Sequence, residues 1–203
     1  MAASRFTTFL ESFNPDPKTR GTQWEHVCKW FLETDPVYRT QLKKVWLWDK
    51  WPGRWEADAG IDLVAQAKDG TYWAIQAKAY APDNTVTKHE VDSFLSESAR
   101  AEFRHRLLIA TTSGVSQAAT RASNAAEKRV SWLLRHQLDR RERFPWPVSF
   151  TAWAKGRIPT LSVSPPSNSP KVRSWRVSGS KHTRLSSPVR EPSLPDSGTG
   201  PSC

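Results

Sequence analysis

Cysteines and long apolar segments are scarce in this sequence. Its 203 residues include only two cysteines, Cys28 and Cys203, at distant positions. Two distant cysteines favour neither a structural disulfide nor a zinc site. No apolar run reaches the roughly 18 residues that a membrane-spanning helix needs, and the first residues, MAASRFTTFLESF, lack the apolar core of a secretory signal. We therefore expect a cytoplasmic protein with no membrane partner.

Acidic residues are also in deficit. The chain has 30 Lys and Arg residues against 20 Asp and Glu residues, so its formal net charge is +10. Such a surplus favours an anionic partner, most commonly nucleic acid. A solvated basic surface without a nucleic-acid partner is the simpler alternative, because charge bears on association and not on fold.

The composition changes near residue 164. Over residues 164–203, Ser, Pro and Gly fill 21 of 40 positions, and apolar periodicity is lost. A segment of this kind cannot bury enough surface to offset the entropy of ordering it. The sequence predicts a folded domain over residues 1–163 and a disordered Ser/Pro-rich tail over 164–203, which is either passive or weakly attractive to phosphates.

The first 163 residues predict an α/β domain in which helices flank a mixed central sheet. Apolar spacing and capping residues predict helices over 22–32, after Thr87 and over 116–137. Strands are predicted over 45–51, 61–67, 72–79 and 106–112. The Asp69-Gly70 step between two of these strands is a strong hairpin signal.

Three polar residues interrupt the predicted hairpin: Asp62 on one strand, and Gln76 and Lys78 on the other. Gln76 and Lys78 are two residues apart and so project to the same face, and the turn brings Asp62 roughly opposite them. Carboxylate and amide oxygens suit Mg²⁺, and a lysine cation can stabilise charge on a phosphate. An exposed ion pair between Asp62 and Lys78 on a polar sheet face is the alternative.

GIDLVA, a turn and YWAIQAKAY together resemble the catalytic core of the PD-(D/E)xK nuclease superfamily, and most closely the Mrr-like restriction endonucleases. The resemblance implies a restriction-endonuclease-like fold. It also implies that Asp62 binds metal, that Gln76 stands where many members have Glu, and that Lys78 is catalytic. An amide in place of a carboxylate removes one negative charge, so we expect weak Mg²⁺ binding in the absence of DNA.

The resemblance covers roughly residues 20–150 and adds further candidates. Glu25, in GTQWEHV, matches a glutamate that these families often carry near the metal. Asp58, four residues before Asp62, is a weaker acidic candidate that would support the metal ligands without binding the metal itself. The segment HRLLIATTSGVSQAATRASNAA resembles the strand, Thr-Thr turn and helix that follow in Mrr-like domains. The whole stretch looks most like the N-terminal nuclease domain of single-polypeptide (type ISP) restriction-modification enzymes, in which a helicase-like motor and a methyltransferase follow.

Weaker candidates for DNA contact lie later in the chain. Thr111 and Thr112 could contact a phosphate through their hydroxyls, although an ordinary helix cap explains this turn about as well. Lys128 and Arg129 belong to a basic group that we place towards the end of the long predicted helix. This group either touches the DNA backbone or is simply solvated.

The sequence therefore predicts a DNA endonuclease that uses Mg²⁺ (or Mn²⁺) and serves as the nuclease module of a restriction system. A non-catalytic nucleic-acid-binding module on a nuclease fold is the alternative, and RNA cleavage would use the same chemistry. No GxxxxGK[ST] phosphate loop is present, so the chain is a stand-alone nuclease, an excised domain or a truncated reading frame, and these three alternatives stay open. A homodimer on DNA would account for double-strand cleavage.

Overall fold

The computed structural model describes residues 3–57 and 59–159. The predicted tail, Cys203 and the candidate Asp58 lie outside the described residues. In chain order the elements are α1 (Arg5–Glu11), α2 (Pro17–Thr34), α3 (Pro36–Gln41), β1 (Leu42–Leu47), a 3₁₀ turn (Trp48–Lys50), β2 (Leu63–Ala67), β3 (Tyr72–Lys78), β4 (Thr85–Val86), α4 (Lys88–Glu97), β5 (Phe103–Ala110), β6 (Gly114–Val115), α5 (Gln117–Ala125), β7 (Val130–Leu133), α6 (Arg135–Asp139) and α7 (Phe150–Ala154).

Five strands form one mixed sheet in the order β1-β2-β3-β5-β7. Strand β2 is antiparallel to both β1 and β3, whereas β3, β5 and β7 run parallel to one another. Strands β4 and β6 form a separate two-stranded parallel pair. The mixed sheet confirms the predicted fold class, and it brings the carboxyl ends of β3, β5 and β7 to one edge.

The predicted β2–β3 hairpin is confirmed. Gly70 has a φ of 89°, in the left-handed region that glycine adopts easily. The Asp69 carboxylate accepts hydrogen bonds from the backbone N–H of Thr71 at 3.0 Å and from its hydroxyl at 2.7 Å. The resulting register pairs Leu63 with Ile75, so the residue before β2 faces the end of β3.

Two hydrophobic clusters lie on the two faces of the sheet. One packs α1 and α2 against it and contains Phe6, Trp24 and Phe31 with Ile75 of β3. The other packs α4 and α5 against the opposite face and contains Phe94 with Ala74 of β3. Because Ala74 and Ile75 belong to different clusters, the alternation along β3 directs Gln76 and Lys78 to the α4 side.

The helix boundaries follow local capping chemistry. Asp16 caps α2 by accepting from the backbone N–H of Thr19 at 2.8 Å, and Pro36 begins the next helix after α2 has ended at Thr34. The predicted capping box at Thr87 is present, with Glu90 Oε2 accepting from the Thr87 backbone N–H at 2.8 Å. None of the described helices is long and apolar enough to cross a membrane.

The prediction of one long helix over 116–137 is wrong. Helix α5 ends at Ala125, and β7 forms from Val-Ser-Trp-Leu at Val130–Leu133. This strand pairs in parallel with β5, with Ile109 opposite Leu133. This pairing gives hydrogen-bond partners to the backbone groups along one edge of β5, which a helix would have left without them. The strand predicted over 45–51 is also displaced, because the chain leaves β1 at Leu47 and forms the 3₁₀ turn.

Candidate active site

Asp62 lies at the edge of the sheet where β3 ends. Its backbone N–H donates to the carbonyl of Ile75 at 3.0 Å, and its Oδ2 accepts from the backbone N–H of Ala77 at 2.7 Å. The carboxylate is therefore held against the backbone between Gln76 and Lys78. The hairpin thus brings the two arms of the predicted constellation together.

Gln76 is a buried polar side chain with only half of its amide satisfied. The residue is 4% exposed, and its Nε2 donates to the carbonyl of Gly60 at 3.1 Å. Gly60 has a φ of 60°, which favours glycine. The Gln76 Oε1 atom is buried and has no hydrogen-bond partner among the described residues. A buried carbonyl oxygen of this kind costs about 1–3 kcal/mol unless something else binds it.

Glu25 projects from α2 towards the same edge. Burial, followed by the negative charges of Asp62 and Asp49, raises its pKa to about 7. Asp49 was not predicted as a site residue. It follows Trp48, whose backbone N–H donates to the carbonyl of Asp62 at 2.8 Å. Burial makes the larger contribution to the raised pKa, and repulsion from the two neighbouring carboxylates adds to it.

Lys78 is the last residue of β3 and is partly buried. Its carbonyl accepts from the backbone N–H of Thr111, at the end of β5, at 3.0 Å. Lys78 also borders a cleft of about 520 Å³ at the end of the strand, together with Arg20 and Gly21 of α2. An ammonium group therefore stands two residues along the strand from the unsatisfied Gln76 carbonyl.

The chemistry of these side chains suits a divalent cation. Asp62 and Glu25 carry carboxylates, and Gln76 carries an amide oxygen without a hydrogen-bond partner among the described residues; hard cations prefer oxygen ligands of these kinds. A bound cation would also relieve the carboxylate repulsion that, after burial, contributes to the raised pKa of Glu25. In the described ranges no group of three His, Cys, Asp or Glu side chains could hold a metal, so a cation at this edge would need a ligand of another type, such as the Gln76 oxygen.

Thr111 and Thr112 do not offer their hydroxyls to DNA. Both residues are 0% exposed. The Thr111 hydroxyl donates to the carbonyl of Tyr80 at 2.6 Å, and the Thr112 hydroxyl bonds the carbonyls of Pro82 and Asn84. These bonds fasten the loop after β3 to the end of β5. The predicted phosphate contact is therefore corrected to a structural role that the sequence did not reveal.

Lys128 and Arg129 lie away from the site. They precede β7, whose first residue, Val130, pairs with Arg106 near the start of β5, whereas Gln76 and Lys78 pair with the end of β5. The Lys128 ammonium donates to the carbonyls of Ala99 and Arg100 at 3.1 and 2.8 Å. The structure does not bring either residue to the edge that carries Asp62.

A family model described as a restriction endonuclease, of the Mrr catalytic type, matches residues 33–152. The chain belongs to this restriction endonuclease family. Asp62, Gln76 and Lys78 lie inside the matched residues, and Glu25 lies before them. Membership confirms the resemblance to Mrr-like nucleases and supports a DNA nuclease role in restriction systems.

Three solved structures are similar to the chain. The ATP-dependent type ISP restriction-modification enzyme LlaBIII, bound to DNA, is 30% identical over 56% of this chain, with a TM-score of 0.50. The restriction endonuclease MspJI, in complex with a 27-mer oligonucleotide, is 15% identical over 68% of the chain and 33% of its own length, with a TM-score of 0.46. AspBHI, a DNA modification-dependent restriction endonuclease, is 15% identical over 75% of the chain and 38% of its own, with a TM-score of 0.47.

The chain spans about 7% of the length of LlaBIII. No curated protein matches it.

Proposed function

We propose that this chain is a divalent-metal-dependent DNA endonuclease, acting in the cytoplasm as the nuclease module of a restriction system that cleaves phage DNA. The observation that supports this best is the buried Gln76 oxygen, which has no hydrogen-bond partner among the described residues. It lies next in sequence to Ala77, whose N–H holds the Asp62 carboxylate, within the matched family region. Restriction endonucleases generally use divalent metals. Asp62, Gln76 and Glu25 would hold Mg²⁺ or Mn²⁺.

Each side chain has a distinct part in phosphodiester hydrolysis. A bound Mg²⁺ or Mn²⁺ would polarise the phosphate and lower the pKa of an attacking water. The Ala77 N–H fixes the Asp62 carboxylate, and the Gly60 carbonyl fixes the Gln76 amide through its NH₂ group. Lys78 orients the water or stabilises the negative charge that develops on the phosphate oxygens.

The proposed partners follow from the likeness to a type ISP enzyme. We propose that an ATP-driven helicase-like motor and a methyltransferase act with this nuclease in one restriction system. Two copies of the chain on one DNA would provide the two hydrolytic sites that double-strand cleavage requires.

Lys78→Ala tests the proposal directly. We expect the variant to cut plasmid DNA in Mg²⁺ about 10²–10⁴ times more slowly than the wild type, because a cation positioned in the transition state is lost. Lys68→Ala is the matched control, since Lys68 is exposed in the hairpin turn at the other end of β3, and it should cut at the wild-type rate.

Three outcomes count against parts of the proposal. Equal cutting by wild type and Lys78→Ala would show that Lys78 is not catalytic. Binding of DNA by both proteins, with cleavage by neither, would favour a non-catalytic binding module. Cleavage of RNA in place of DNA in the same assay would support the proposed hydrolytic site but would contradict DNA as its substrate.

A further inference from the structure

The cleft that Lys78 borders is lined by other described residues than the proposed metal ligands. Its walls come from the start of α2 and from the end of β3 with the loop that follows. Two of its lining residues, Arg20 and Lys78, are cationic, and none is acidic. The charge of the cleft is therefore positive and complements an anionic ligand.

Arg20 is incompletely satisfied within the described part of the chain. Its Nε atom is buried and has no hydrogen-bond partner there. Other partly buried arginines do have partners: Arg141 pairs with Asp35 at 2.7 Å, and Arg135 with Asp139 at 3.6 Å. Arg20 forms no ion pair with a carboxylate in the described ranges, and a planar guanidinium is a good ligand for a phosphate group.

Gly21 forms part of the same wall. It lies inside the 18-residue helix α2, where glycine weakens a helix relative to alanine. A Cβ atom at this position would meet no other atom within 4 Å, so packing within the described residues does not require glycine. A side chain here would instead reduce the space between α2 and whatever occupies the cleft.

We propose that this cleft seats the sugar-phosphate backbone of the DNA strand that is cut, and that Arg20 holds a phosphate neighbouring the one beside Lys78. The proposal rests on the proposed nuclease function and adds a positioning residue to it. Arg20 fixes the register of the strand, and Gly21 lets the backbone approach α2 closely.

The test measures binding of a short duplex DNA in EDTA, by fluorescence anisotropy over a range of salt concentrations. For Arg20→Ala we expect Kd to rise about tenfold and the dependence of log Kd on log salt to fall by about one unit. Arg20→Lys should restore the salt slope and only part of the affinity, because the ammonium lacks the planar fork. Arg104→Ala, an exposed change at the opposite end of the sheet, is the control and should bind as the wild type does.

Gly21→Ala separates folding from binding. We expect its Tm to rise by about 2–4 °C, because alanine favours the helix, while Kd in EDTA and KM for cleavage both increase. In cleavage assays Arg20→Ala should raise KM more than it lowers kcat. A raised Tm with unchanged Kd for Gly21→Ala would overturn the close approach of the DNA backbone to α2.

The two proposals fail in distinguishable ways. If the wild type cuts DNA and Arg20→Ala shows wild-type Kd, salt slope and KM, the cleft proposal is overturned and the nuclease proposal stands. If neither the wild type nor any variant cuts DNA, but Arg20→Ala binds DNA more weakly in EDTA and with a smaller salt dependence, DNA binding in the cleft is supported and the catalytic role is not.

Discussion

Gln76 illustrates how one side chain can be held for a ligand that the fold does not supply. Its NH₂ group donates to the Gly60 carbonyl, and its oxygen is buried without a partner among the described residues. A glutamate at this position would set a carboxylate oxygen against the Gly60 carbonyl. The amide therefore suits this backbone better, at the expense of one negative charge for binding the cation.

Glu25 provides a pH-dependent test of the same site. Its pKa is raised from 4.5 to about 7, so between these values the folded protein binds more protons than the unfolded chain. The stability of the metal-free protein should therefore fall as the pH rises through this range. Because the carboxyl is partly exposed and solvent screens the repulsion, we expect Glu25→Gln to raise Tm in EDTA by only about 2–4 °C near pH 8.

Near pH 4 the Glu25→Gln effect on Tm should vanish, because the wild-type carboxyl is then protonated too. Glu102→Gln, at an exposed position, is the control and should leave Tm unchanged. An equal gain at both pH values would show that packing, and not charge, is responsible. Cleavage should fall for Glu25→Gln at every pH, since the variant lacks a ligand carboxylate.

At the scale of elements, Arg106 connects β5 with two other parts of the fold. The residue is 5% exposed, and its guanidinium donates to the Leu95 carbonyl of α4 at 3.0 Å, to Ser98 Oγ at 2.7 Å and to the carbonyl of Lys128 before β7. Burial lowers its pKa. The three bonds offset the cost of enclosing the cation and tie the end of α4 to the sheet.

Arg106→Met tests this connection. The variant keeps most of the side-chain volume but leaves the carbonyls of Leu95 and Lys128 without their donor, so we expect unfolding free energy to fall by about 2–4 kcal/mol in urea denaturation. Arg106→Lys should recover little of the loss, because one ammonium group cannot reach all three acceptors. Arg104→Met, exposed on the same strand, should change stability by no more than about 0.5 kcal/mol.

For the whole molecule, the sheet separates two aromatic-rich clusters, and the described core residues all come before α7 ends at Ala154. We predict that a chain shortened to residue 163 keeps the wild-type unfolding free energy to within about 0.5 kcal/mol, since a segment so rich in Ser and Pro contributes little apolar burial. Thermal and urea unfolding of both lengths would measure this, and a loss of several kcal/mol would mean that residues 164–203 help to form the fold.

Local chemistry was enough to predict the hairpin and its polar residues. The Asp-Gly turn and the two-residue period placed Asp62 opposite the end of β3, and the register agrees. The prediction for Val130–Leu133 was wrong because the apolar spacing of this segment also suits a helix. The segment forms a strand because it pairs with the edge of β5, which is a tertiary contact. The proximity of Asp49 and Arg20 to the site depends on how α2 and the 3₁₀ turn pack on the sheet, which no local pattern records.

The hairpin turn at Gly70 has a practical consequence. It lies at the far end of β3 from Lys78, about 20 Å away for a strand of this length, and a Cβ at Gly70 would meet nothing within 4 Å. A fluorophore or surface tether attached at the neighbouring Lys68 therefore leaves the cleft open, so single molecules could be anchored or followed while they engage their substrate.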